Sequence, residues 1–483
     1  MRPGAAILWC GSSCGSTLRP PVFLGLLSAS FSCARADVPP PHGIILVSMD
    51  TVRADATSPY GARAEQTPAL SHLAAEGVVF ERAFAQANET LFSHGSLFTG
   101  RIVSHIRPVD YNFTIPEGTP TIAAEMRAAG YRTGAVVAGG HLARLFGLDD
   151  GFDSYTEGAP WGSFQETIPM AVHWVDIAVS ENEPFFLFVH GYDAHTPYVK
   201  PGLFGRITTP GLRTPLGPLL FDPLFYERVW KDAYFPDFTL PSEHTTAGVD
   251  VIPSGMFASL ARQAAEPDAR RIAISEADRT VLLGSYQGAV SYADAWLGVL
   301  LRDLEVRGLL ATTTIAVVSD HGEALLEYGF FNHRHTLRNV STHVPLVIRP
   351  AGGHVAVRVA TPVSLLDVAP TLLEMAGASR RSTMSGRSLV ACLTGTCEDT
   401  EMPYSEGAMG DASVTDGRYR LVVSGITPSD PDFDVALRTG VGASFTLYDA
   451  AAGEREDVSS DASLAPILAR LRAGMLAARG ASP

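Results

Sequence analysis

Three short runs of uninterrupted apolar residues constrain this chain more than any other feature. Gly43-Ile-Ile-Leu-Val-Ser-Met49, Pro184-Phe-Phe-Leu-Phe-Val-His190 and Thr314-Ile-Ala-Val-Val-Ser319 all lack the polar alternation of a strand with one wet face. Such runs read as strands buried on both sides of a parallel sheet. Helical patterns lie between them: Thr67-Pro68 opening Ala69–Glu76, Ile122–Ala129, and the long Ser285–Arg307 stretch. Strands alternating with helices predict an α/β fold, with a central, mostly parallel sheet sandwiched by helices. In such sheets ligands bind at the carboxyl ends of the strands. Two of those ends carry chemistry, because Asp50 follows the first run directly and Asp320-His321 follow the third.

At 483 residues the chain exceeds one ordinary core, so a large domain with a smaller companion is expected. Arg2 and Arg19 precede an apolar run over 22–34 and then Ala34-Arg-Ala36, the order of a secretory signal peptide cleaved after Ala36. The run is too short to span a bilayer as a helix. Ser30-Phe-Ser-Cys33 offers the alternative of lipid attachment at Cys33. Either way the expectation is export to a periplasmic or extracellular setting, with no integral membrane segment in the mature chain. Beyond the leader only Cys392 and Cys397 remain, and they flank a turn-like Leu-Thr-Gly-Thr spacer. A local disulfide suits an oxidising compartment. The catalytic domain is placed at 37–399. Within it, residues 200–275 are rich in Pro, Gly and aromatics and form a variable substrate insertion. Residues 400–483 read as a small α+β subdomain, with strands at Gly417–Val423 and Ser444–Tyr448 and a helix at Leu464–Ala478.

Four separated pieces gather carboxylates, imidazoles and a hydroxyl. They are Ser48-Met-Asp50-Thr51-Val-Arg-Ala-Asp55, Glu89-Thr90-Leu-Phe-Ser-His94-Gly-Ser-Leu-Phe-Thr-Gly-Arg101, His190-Gly-Tyr-Asp193-Ala-His195-Thr-Pro-Tyr198 and Val318-Ser-Asp320-His321-Gly-Glu323 with Asn332-His333-Arg-His335. Such groups at strand ends are what a hydrolytic divalent-metal site requires. These motifs, together with Val344-Pro-Leu-Val-Ile-Arg349 and Val363-Ser-Leu-Leu-Asp-Val-Ala-Pro-Thr-Leu-Leu373, make the chain resemble the sulfatase family of the alkaline phosphatase superfamily. The resemblance covers nearly all of 43–478.

Carried over by position, the resemblance puts metal ligands at Asp50, Thr90, Asp320 and His321, with Thr90 also the nucleophile. It puts His195 at the transferred group or its leaving oxygen, and His333 and His335 among the basic substrate contacts. His141 matches a further family histidine, although Gly139 stands where its partner lysine is expected. Two departures follow. Formylglycine sulfatases carry a cysteine where this chain has Thr90, and their usual second aspartate is Thr51 here. A formylglycine hydrate releases sulfate through its second hydroxyl, which threonine lacks. A Thr90 ester must instead be cleared by attack on its phosphorus or sulfur, as in the phosphoryl-threonine enzymes of the superfamily.

The expected activity is therefore metal-dependent cleavage of phosphate mono- or diesters through Thr90. The alternatives are a sulfuric ester hydrolase working without formylglycine, and a silent binding protein that kept the fold. The ligand set permits Mn, Zn, Mg or Ca and favours Mn or Zn. Small-molecule, lipid-headgroup or glycan esters are the expected partners. A nucleic acid is not, because the net charge of -15 opposes a phosphate backbone. The sequons at Asn88, Asn112 and Asn339 read as chance matches.

Overall fold

The computed structural model describes residues 41–106, 114–204 and 276–480, apart from positions 197, 199, 202, 203, 330, 380, 382 and 398–400. The leader with Cys33, the sequon at Asn112 and most of the 200–275 insertion lie outside the described residues. Eight strands build the main sheet: β1 (Gly43–Met49), β2 (Val78–Phe80), β3 (Arg132–Val137), β4 (Ser154–Glu157), β5 (Phe185–Gly191), β6 (Thr313–Val318), β7 (Leu346–Arg349) and β8 (Val357–Val359). Their order is β8-β2-β7-β6-β1-β5-β3-β4. Every pairing is parallel except the two made by β7, which runs antiparallel to β6 and β2. The three continuous apolar runs are the three central strands β6, β1 and β5, as full burial on both faces demands.

Alternation along those strands sorts their side chains into two cores. Ile44 and Leu46 of β1, Phe186 and Phe188 of β5 and Ala316 and Val318 of β6 join one core. Ile45, Val47, Leu187, Val189, Ile315 and Val317 join the other. The helices follow the same division. They are α1 (Pro68–Ala75), α2 (Thr90–Thr99), α3 (Ile122–Ala128), α4 (Phe164–Ser180), α5 (Glu276–Val306), α6 (Val368–Met375) and α7 (Ala465–Ala478). The first face is covered by α2, α3 and α6, the second by α1, α4 and α5. This parity positions the site. Ser48, Asp50, His190 and Asp320 continue the first register and so emerge on the face that α2 covers.

The long helix α5 begins nine residues before its expected start at Ser285. At the other end of the chain, β9 (Tyr404–Glu406), β10 (Ala412–Thr415), β11 (Tyr419–Ser424) and β12 (Ser444–Asp449) form a four-stranded antiparallel sheet. Against it packs α7, through Leu471, Met475 and Leu476. Arg420 of β11 is buried and reaches Glu454 at 3.0 Å, Ser413 at 3.1 Å and Asn339 at 2.8 Å. Glu454 in turn accepts from the Asn339 backbone N–H at 2.6 Å. This buried pair ties the C-terminal sheet to the segment that follows the site residues of 320–335. Cys392 and Cys397 are joined by a disulfide. Among the described residues no helix is long and apolar enough to cross a membrane.

Candidate active site

The site starts from the cap of α2. Glu89 stands in extended backbone before the helix, and its carboxylate accepts from Leu91 N at 3.1 Å and Phe92 N at 3.5 Å. Thr90 is thus the first helical residue rather than the cap, with its side chain at the positive end of the helix. Its hydroxyl donates to Asp50 Oδ2 at 3.3 Å and lies 3.3 Å from His321 Nε2. Asp50, Asp320 and His321 are fully buried, and one ligand-type atom from each falls within 4.8 Å of the others.

Three features of this cluster fit a divalent cation. Asp50 Oδ1 and Asp320 Oδ2 are buried with no hydrogen-bond partner, a costly state for a carboxylate oxygen unless a cation meets it. His321 Nδ1 faces the Gly322 carbonyl at 3.0 Å. That acceptor fixes the proton on Nδ1 and leaves the Nε2 lone pair turned to Thr90, the tautomer a ligand requires. Finally, burial and then the charge of Asp320 push the Asp50 carboxyl well above its ordinary range. Burial acts on Asp320 in the same direction, but His321, His94 and His190 draw it below its ordinary value. A positive ion between the two acids would remove their mutual repulsion. The position of the family's second aspartate contributes backbone only. Thr51 takes a left-handed conformation (φ 58°), donates its N–H to Asp320 Oδ1 at 3.2 Å, and turns its hydroxyl back onto the Asp50 carbonyl.

Histidines surround this cluster. His94, one turn after Thr90, sits 2.8 Å from the Thr90 carbonyl and 3.5 Å from Asp320 Oδ2, with its Nε2 accepting from Ser48 at 2.9 Å. His190 Nε2 lies 3.3 Å from Asp50 Oδ2. The sequence reading assigned no role to either. Their signals were positional: His94 lies four residues after Thr90 on one helix face, and His190 pairs in register with Ser48 on the neighbouring strand. Burial holds both rings below their ordinary pKa.

The residues that the resemblance makes substrate contacts form a second layer. His333 packs on His321, ring centroids 4.3 Å apart, and His195 packs on His333 at 5.4 Å. His333 Nδ1 faces Glu323 Oε1 at 3.2 Å and His195 Nδ1 faces the Thr196 carbonyl at 2.6 Å. The Thr196 carbonyl holds the His195 proton on Nδ1 and leaves its Nε2 bare, whereas burial pushes the Glu323 carboxyl that faces His333 well above its ordinary range. Burial pushes His195 down to about 4 and His333 well below its ordinary value. His335 lies half-buried in the turn just after His333. His141 meets the site through Glu89, Nδ1 to Oε1 at 2.9 Å, and Arg334 reaches the same oxygen at 3.3 Å. Burial alone would raise Glu89, but His141 and Arg334 beside it keep its carboxylate well below the usual range. Asp193 caps α4 by accepting from Phe164 N at 2.8 Å and is structural. Asn88 is buried with both amide atoms engaged, by Thr336 O and Ala408 N, which leaves no room for a glycan.

The sulfatase family profile matches residues 42–378, well over half of the chain, and the chain belongs to that family, a metal-dependent hydrolase family of the alkaline phosphatase superfamily. Arylsulfatase K of Danio rerio is 22% identical over 393 residues, covering 76% of this chain and 71% of that protein. Arylsulfatase K of Xenopus laevis is 23% identical over 365 residues, covering 70% and 63%. Among solved structures, the phosphonate monoester hydrolase of Agrobacterium radiobacter superposes with a TM-score of 0.67 at 20% identity, covering 91% of this chain and 95% of that one. A protein in complex with its substrate D-glucosamine-2-N,6-O-disulfate superposes equally well, TM-score 0.67 at 18% identity, covering 92% and 98%. At these identities the structural likeness establishes the fold.

Proposed function

We propose that this protein is an exported, metal-dependent hydrolase or transferase that cleaves phosphate mono- or diesters through Thr90. The observation that carries the reading is the place of the Thr90 hydroxyl. It sits at the start of a buried helix, 3.3 Å from both Asp50 and His321, at the position to which the resemblance assigns the nucleophile. Asp50, Asp320, His321 and Thr90 would hold the cation. When bound, it supplies positive charge that acidifies the Thr90 hydroxyl and offsets the charge of the ester oxygens.

The chain's own residues supply the rest. Thr90 Oγ attacks phosphorus, the bond to the leaving oxygen breaks, and a covalent Thr90 ester remains. Water then attacks the same phosphorus and the Thr90 oxygen leaves with its proton restored. Proton handling falls to His195 and His333. His195 presents a bare Nε2 and has its other nitrogen fixed by a carbonyl acceptor, the arrangement of an oriented general base, and His333 packs against it. Arg334, held by Glu89 at the start of α2, adds a cation beside the nucleophile. The disulfide agrees with an oxidising compartment, periplasmic or extracellular.

Sulfate ester hydrolysis is the second reading. It is favoured by the relatives named arylsulfatase and by the neighbour bound to a disulfated sugar. A paired assay on the chain from Asp37, with Mn, Zn, Mg and Ca supplied in turn, separates the two. Turnover of aryl phosphodiester or phosphomonoester is expected. Turnover of aryl sulfate alone would replace the phosphate reading, and silence on all three substrates would favour a binding protein.

A further inference from the structure

Trp161 is the feature beside the site that packing alone does not explain. It is a bulky residue in the left-handed region (φ 62°), a conformation that glycine adopts freely and large side chains avoid. It is also about half exposed (49%), so core burial does not compensate the strain. Backbone strain of this kind is characteristic of functional sites.

The turn that carries Trp161 is held tightly. Gly162 N donates to the carbonyls of Ala138 and Ala159, and Tyr192 N donates to the Gly162 carbonyl at 3.0 Å. Glu166 accepts from Ala159 N at 3.2 Å. Across from it Gly139 is itself left-handed (φ 58°), and a Cβ there would meet Gly158 O and Pro160 Cα at 3.2 Å. The missing lysine at 139 thus has a steric counterpart: the space beside that backbone is filled by the Trp161 turn.

Among the described residues the aromatic contacts of the indole include two candidate site histidines and the tyrosine packed beside them. It stacks on His195, centroids 5.5 Å apart at 29°, meets His141 edge-on at 5.2 Å, and tilts against Tyr192 at 5.0 Å. Phe146 meets His141 edge-on at 6.2 Å, and its neighbour Leu145 is 70% exposed. Trp161 therefore leaves exposed apolar surface beside His195.

We propose that Trp161 is a specificity-determining residue whose indole receives a flat ring carried by the leaving group of the ester. The proposal rests on the ester-hydrolase reading, which puts His195 at the leaving oxygen. The group on that oxygen then lies one side chain from the indole. An aryl ring and the apolar face of a pyranose present the same chemistry to such a platform.

Binding tests this without turnover. Affinities of phenylphosphonate, a glucosyl C-phosphonate and methylphosphonate are measured on the Mn-supplied protein, as wild type, Trp161→Gly and Trp161→Phe. Glycine removes the ring and relieves the backbone, so the variant folds; Trp161→Asn, also tolerant of positive φ, serves as a second probe. The ring-to-methyl affinity ratio should fall about 3- to 10-fold in Trp161→Gly and Trp161→Asn, the range of one aromatic contact, and largely recover in Trp161→Phe. A fall confined to the phenyl probe assigns an aryl leaving group; a fall for the sugar probe assigns a glycan. A wild type without ring preference, or a ratio unmoved by Trp161→Gly and Trp161→Asn, overturns the proposal. Ring preference without hydrolysis of any ester would sink the hydrolase reading alone.

Discussion

Replacing Asp50 by asparagine should separate cation binding from folding. The Asp50 carboxyl is fully buried, has one oxygen without a partner, and faces Asp320. Burial and then the Asp320 charge already favour its neutral form. An amide of the same shape should therefore change the stability of the cation-free protein by no more than about 1 kcal/mol. The cation response should behave differently. An ion supplied at about 100 times its Kd stabilises the folded state by about 2.7 kcal/mol. For a folded unit spanning Pro40–Pro483, unfolding entropy is about 0.9 kcal/mol per kelvin, so the expected rise in Tm is about 3 °C. Asp50→Asn removes one of the three proposed non-hydroxyl ligands and should abolish that rise. Thermal melts of both proteins with and without Mn or Zn provide the assay. An equal rise in both would refute ligation by Asp50. A cation-free variant destabilised by about 3–5 kcal/mol would refute the electrostatic argument, because it would mean that Asp50 is already charged and paired with His190.

Three further outcomes follow from the geometry. Glu89→Ala should cost about 1–3 kcal/mol in urea unfolding, from the lost cap of α2 and the stranded partners His141 and Arg334, with Glu89→Gln recovering the capping share. His195 titrates near 4 when folded and near 6.5 when unfolded, so the unfolded chain takes up more protons between those values. The stability it contributes is fully present above pH 6.5 and falls as pH drops toward 4, by about 2–3 kcal/mol at pH 4.5; His195→Asn should show that much less acid destabilisation, and an equal loss in both proteins would contradict it. Arg420→Met strands Glu454 and should cost about 3–5 kcal/mol, whereas Arg420→Met with Glu454→Met should be close to neutral in the same unfolding assay.

Much of this was legible in the sequence because buried parallel strands leave an unambiguous trace. The three apolar runs map onto β1, β5 and β6 within a residue, and the residues just past β1 and β6 are the ones that cluster. Thr90 was legible as a helix start from the apolar spacing that follows it. The cap itself was not, because Glu89 fills a role that Ser, Thr, Asp or Asn usually take. His94 and His190 were harder still. A histidine inside an apolar helix or strand gives no periodic signal, and only the shared parity of Ser48, His190 and Asp320 explains why they meet. Trp161 carried no sequence signal, since its importance lies in a backbone angle and three ring contacts.

The most direct test of the account is to trap the Thr90 ester. The protein from Asp37 is mixed with an aryl phosphodiester and the favoured cation, quenched during turnover, and its peptides are weighed by mass spectrometry. The account predicts a phosphoryl-ester adduct on the peptide carrying Thr90, with both adduct and turnover lost in Thr90→Ala. Undiminished turnover in Thr90→Ala, with no adduct at that position in the wild type, would contradict it.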